Sequence, residues 1–182
     1  MDKKIKESKR GLTFSFTPTE TMQIGSRYDY IIIDTNPGLG LVNQNAFFAA
    51  SRMLSCDVSA GFDPLYTSVF EKKNAAMLGR GVCFNKFTGS RGKSGSNDAN
   101  AEYLGMLRRI MDGNSVSWQT AELGKVDVGG GGTIAYICAL YGMEVIDSGV
   151  AVLSMHAPEE IIDKADLYEA VKAYAAFMRE AE

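Results

Sequence analysis

The sequence predicts an α/β protein whose larger part is a three-layer αβα domain. Two observations carry that expectation. From residue 51 onward, strand-like and helix-like segments alternate along the chain, and short glycine-rich connections join them. CDVSA (56–60) and GVCFNKF (81–87) read as strands, and 98–111 as a helix whose Tyr103, Leu107, Ile110 and Met111 share one face. VSWQTAEL (116–123) is the next strand. GGGGTIAYICALYG (129–142) is a glycine-rich turn feeding a buried helix that Gly142 caps, and MEVIDSG and VAVLSM are two further strands. The final helix starts at Asp163, with Leu167, Val171, Tyr174 and Met178 expected on a core-facing stripe and charges opposite.

At 182 residues the chain can bury one core, with room for a second small module. A formal charge of -3 argues against general nucleic-acid binding, and the basic opening MDKKIKESKR reads as a solvated tail. Cys56, Cys83 and Cys138 are widely spaced and form no CxxC pair, which disfavours a disulfide framework and a thiolate zinc site and fits a reducing cytoplasm. No run of 18 apolar residues is present, so neither a membrane span nor a secretory leader is expected.

The segment TGSRGKSGSNDA (88–99) reads as a loop that sets Arg91 and Lys93 among glycines and serines ahead of a helix, an arrangement suited to an anion. It is not a nucleotide P-loop, because that pattern needs glycine at position 87, where Phe87 stands. Glycines 129–132 suit either a phosphate cradle or close backbone packing where a helix begins beside a pocket. His156 is the single histidine. A lone histidine is more often structural than a ligand. Its context points the other way: the apolar run Val150–Leu153 leads into Ser154-Met155-His156-Ala157-Pro158, and Pro158 stops regular pairing, which delivers the imidazole at a strand end.

Five stretches, SRMLSCDVSAGFDP, FEKKNAAMLGRGV, NKFTGSRGKSGSNDANAE, WQTAELGKVDVGGGGTIA and GMEVIDSGVAVLSMHAP, occur in the order and spacing of one family. Over residues 51–182 the chain resembles the aminopeptidase I (aspartyl aminopeptidase) family of dinuclear zinc exopeptidases. The resemblance implies the C-terminal part of a zinc-exopeptidase-like catalytic domain, which in complete form removes N-terminal residues from peptides by metal-activated water. It also implies Asp57 as a ligand of one zinc and His156 as a ligand of the other, with Lys86, Gly130 and Gly131 near the substrate. Lys86 would hold a substrate carboxylate or a nearby acidic group. Complete relatives are homo-oligomers. Carboxylate and imidazole are suitable ligands for a pair of zinc ions. Glu159 departs from the family, which usually carries an aromatic residue there, and leaves the fine substrate preference open.

The family scheme also needs an early histidine, a bridging aspartate, a glutamate ligand and a glutamate general base. QIGS (23–26) is similar to the family's E-E-[IV]-G-S, but Met22 and Gln23 stand at the two glutamate positions, and the likeness is read as chance. The segment RYDYIIIDTNPGLGLVNQNAFFAAS (27–51) instead resembles the Walker B region of ParA/MinD-type partition ATPases. That resemblance implies Asp34, at the end of the β-branched run Tyr30–Ile33, as the residue holding a Mg²⁺-bound water near a nucleotide. Residues 1–50 are thus expected to be a partial ParA-like segment with a basic tail. The joint near 46–51 reads most simply as a rearrangement, a chimeric assembly or a pseudogene. The expected function is a zinc aminopeptidase fragment, inactive as an isolated chain and with zinc unbound. The rival is a partition-ATPase remnant or a catalytically dead interaction module.

Overall fold

The computed structural model describes residues 52–90, 94–125 and 134–181. The chain from Arg52 onward forms one compact unit. Its strands are β1 (Arg52–Ser55), β2 (Ser59–Ala60), β3 (Val82–Asn85), β4 (Phe87–Ser90), β5 (Ser94–Asp98), β6 (Trp118–Ala121), β7 (Glu144–Gly149), β8 (Ala151–Leu153) and β9 (Ile161–Ile162). Its helices are α1 (Ala101–Gly113), α2 (Ile134–Ala139) and α3 (Lys164–Glu180).

The main sheet has the order β1-β7-β3-β6, with β1 parallel to β7, β3 antiparallel to β7, and β3 parallel to β6. A second sheet has the order β2-β8-β9. The two sheets are continuous in register along one pair of strands. Arg52 to Ser55 lie opposite Glu144 to Asp147, and Ser59 and Ala60 lie opposite Ala151 and Val152, with the same offset throughout.

Alternation along the strands sorts side chains between two faces. Val82 and Phe84 of β3 and Ile146 of β7 join Tyr103, Leu107, Ile110 and Met111 of α1 and Ala170, Ala173 and Ala176 of α3 in the larger core. Cys83 faces away, clustering with Ala76, Ala121 and Ala151. On that side α2 packs against β7 and β1. The layers are therefore helix, sheet, helix, as the alternation in sequence implied. Full burial of each large side chain in the main core contributes about 1.5–3 kcal/mol.

The caps follow from local chemistry. The Asn100 side chain accepts the Tyr103 N–H at 2.7 Å to start α1, and the Asp163 side chain accepts the Ala165 N–H at 2.7 Å to start α3. Gly142, at φ +80°, closes the turn after α2 by donating its N–H to the Ala139 carbonyl.

Two expectations are corrected. Residues 88–99 are not a loop: β4 and β5 form an antiparallel hairpin with a register shift between Thr88 and Ser90. Glycine and serine carry little strand signal, so the pairing is invisible to composition. Arg91 and Lys93 lie outside the described residues. The second correction concerns α3, whose core face is the small-residue stripe Ala170, Ala173 and Ala176, together with buried Asp166. Leu167, Val171 and Met178 are 49%, 61% and 48% exposed.

Candidate metal and substrate site

Asp57 sits in the link between β1 and β2, half-buried. Its position is set by Gly149. A Cβ there would lie 2.2 Å from the Asp57 carbonyl oxygen and 2.7 Å from the Val58 Cα, so only glycine lets the two backbones cross this closely. Below the link is a buried polar belt. The Ser59 hydroxyl donates to Asn85 Oδ1 at 2.9 Å, and Ser59, Asn85, Asp147 and Ser148 are all fully buried. Among the described residues, Asn85 Nδ2 and the Ser148 hydroxyl have no protein partner. Burial pushes the Cys83 thiol up to about 12, and burial followed by the Asp147 carboxylate raises that of Cys138. All three cysteines are free thiols.

His156 follows the end of β8 in a tight turn closed by the Ala157 N–H donating to the Ser154 carbonyl at 2.9 Å. Ser154 and His156 adopt left-handed φ values of 56° and 69°. Non-glycine residues there carry strain, which tends to gather at functional positions. The Glu160 carboxylate accepts the His156 backbone N–H at 2.6 Å, which fixes the turn and leaves the residue exposed.

Asp57 follows β1 and His156 follows β8, and the β1–β2 segment runs parallel to β7–β8 at one offset. The two residues are not level. Asp57 lies beside Gly149, while His156 lies past the end of β8, beyond the three strand residues Ala151–Leu153, which rise about 3.3 Å each. Lys86, just past β3, is ion-paired with Asp98 at the base of the β4–β5 hairpin, so its partner is a nearby acidic group. Antiparallel pairing of β3 with β7 sets it on the other side of the Asp57 level from His156. Gly130, Gly131 and Asp34 lie outside the described residues. A carboxylate and an imidazole suit zinc by donor type, but no group of three His, Cys, Asp or Glu able to hold a metal exists among the described residues.

The loop after β2 escaped the sequence reading. Phe62 and Phe70 meet in a tilted contact at 5.6 Å between ring centroids, and Lys72 lies 5.7 Å from the Phe62 centroid. With Ala60, Gly61, Val152, Ser154 and Met155 this loop lines an open, solvent-facing cavity of about 230 Å³. The apolar spacing FDPLYTSVF was the available signal, and it has neither helical nor strand period.

Compared with known families, residues 21–178 match the model for the aminopeptidase I zinc metalloproteases, M18. The chain belongs to the M18 aminopeptidase family. Over 128 residues it is 68% identical to "Probable M18 family aminopeptidase 1" of Clostridium acetobutylicum, covering 70% of this chain and 28% of that protein. The fold matches the crystal structure of aminopeptidase I from the same organism with a TM-score of 0.67 and 64% identity, over 74% of this chain and 29% of that one. It matches the M18 aminopeptidase of Thermotoga maritima with a TM-score of 0.68 and 45% identity, over 76% and 31% of the two chains. The chain therefore spans under a third of the length of these M18 relatives. The family match begins at residue 21, so it takes in QIGS and runs through 27–51. The Walker B resemblance of that segment, and with it the nucleotide role of Asp34, gains no support.

Proposed function

We propose that residues 52–181 are the C-terminal part of the catalytic domain of a zinc-dependent aminopeptidase that removes N-terminal amino acids from peptides, with Asp57 and His156 as ligands of its two metal ions. The observation that carries the reading is the common parallel offset of β1 against β7 and of β2 against β8, which runs the link holding Asp57 alongside the chain leading to His156 within a fold shared with M18 enzymes. Bound zinc supplies an acidified water and polarises the peptide carbonyl. What this chain contributes is Asp57, its backbone set by the Gly149 crossing, and the exposed His156, its backbone set by the Glu160-braced turn. Complete forms are homo-oligomers, and three unpaired thiols accord with a cytoplasmic setting.

As an isolated chain the protein is inactive in this reading, because Met22 and Gln23 stand where the family places a ligand and a base, and neither side chain can take up a proton. Assay of the purified chain on amino-acid arylamides with added zinc or cobalt tests this. No hydrolysis is expected, and turnover that disappears in Asp57→Ala would refute the inactivity while upholding the site.

A further inference from the structure

We infer that the cavity between the 62–70 loop and the end of β8 is the specificity pocket for the N-terminal residue of the peptide, and that it selects a large apolar side chain over an acidic one. The inference rests on the aminopeptidase reading for its substrate and on four features of the cavity for its selectivity.

The first is position. Ser154 and Met155 form part of the wall and are the two residues immediately before His156, so a side chain in the cavity belongs to the residue bound next to that imidazole. The second is size. A cavity of about 230 Å³ falls below the roughly 300–1,000 Å³ of pockets that take whole ligands, and it suits one side chain. The third is the wall itself. Ala60, Gly61, Val69, Phe70, Val152 and Met155 present carbon, and Tyr66 and Val69 keep 65% and 54% of their surface exposed, apolar area that a bound side chain would cover.

The fourth is charge. Asp63 is the carboxylate on the wall, and one of its oxygens accepts the Leu65 N–H at 2.8 Å. A carboxylate has capacity for further donors, and the free ammonium found only on a peptide's N-terminal residue meets it. An acidic side chain would instead be desolvated beside a like charge. The wall is also built before any ligand arrives. The Phe62 N–H donates to the Ala76 carbonyl at 2.7 Å, the Tyr66 N–H to the Asp63 carbonyl at 3.1 Å, and the Val69 N–H to the Tyr66 carbonyl at 3.1 Å.

The test is a titration of the full chain, labelled with ¹³C at its methionine methyls, with L-leucinamide, L-phenylalaninamide, L-aspartamide and glycinamide. The Met155 methyl resonance should move saturably with the first two and at least tenfold more weakly with the last two. Val69→Asp, a change on the exposed rim that spares the core, should weaken leucinamide binding at least fivefold, and Asp63→Asn should weaken it while leaving the weak response to uncharged N-acetyl-leucinamide unchanged. An unmoved Met155 signal, or equal response to leucinamide and aspartamide, overturns the inference. Because the titration reads occupancy without metal or hydrolysis, it stands apart from the catalytic reading. Saturable, selective binding that persists in His156→Ala supports the pocket even if no catalysis is ever found, and catalysis without this selectivity rejects the pocket alone.

Discussion

Substituting Gly149 by alanine forces a Cβ to 2.2 Å from the Asp57 carbonyl oxygen, and the obstruction is backbone, which cannot rotate away. The expected cost is about 2–3 kcal/mol, read as a lower urea midpoint, with displacement of Asp57 as the structural consequence. Gly113, with nothing within 4 Å of an added Cβ, serves as the control and should tolerate alanine. Glu169 offers a titration at the same scale. Its carboxylate accepts the Ser117 N–H at 2.7 Å and pairs with Lys172, and these two contacts hold its pKa below the usual carboxylate value. A depressed folded-state pKa means stability that is fully present above about 4.3 and is lost as pH falls through the lower folded value. Wild type should therefore exceed Glu169→Gln in stability at pH 7, and the gap should close in acid; a gap independent of pH between 7 and 2 would exclude this origin. Among candidate site residues, His156 stood out in sequence as the single histidine at the end of an apolar run, whereas Asp57 was named only through the family resemblance. The pocket residues 60–70 were not, since an apolar wall looks like any other apolar stretch until the chain folds around it.

At the scale of elements, α1 and α3 show where periodicity succeeds and where it fails. The face Tyr103, Leu107, Ile110 and Met111 of α1 is the buried one because its large residues fill the space above Phe84 and Ile146. In α3 the same rule selects the wrong side. The helix approaches α1 and β3 through alanines, which permit close packing, with Tyr174 and Phe177 partly buried at the edge of the core, while Leu167, Val171 and Met178 are left outside. Leu167→Gln, Val171→Thr and Met178→Gln should each change stability by less than about 0.5 kcal/mol, whereas Ala173→Leu should cost about 1–3 kcal/mol by overpacking. Chemical denaturation of the four variants checks this, and the reverse order would restore the core stripe expected from sequence. The hairpin β4–β5 was illegible for a different reason. Apart from Phe87, its strands are written in glycine, serine and other small or polar residues, which do not announce a buried face.

For the whole molecule, the order of strands and helices was legible because a layered α/β fold is written in alternation, and alternation survives single misread elements. The segment 27–51 was not, since a β-branched run ending in aspartate fits more than one fold, and its neighbours decide between them. The central claim is that residues 52–181 supply two of the ligands of a two-metal aminopeptidase site, Asp57 and His156. It is tested most directly by replacing the matching 128-residue stretch of the Clostridium acetobutylicum enzyme with this chain's residues and measuring zinc content and arylamide hydrolysis together. The expected result is about two zinc ions per chain and hydrolysis within roughly tenfold of the parent, with Asp57→Ala and His156→Ala each lowering hydrolysis by about 100-fold or more and reducing bound zinc. A hybrid that keeps both its metal and its activity after either substitution would contradict the claim.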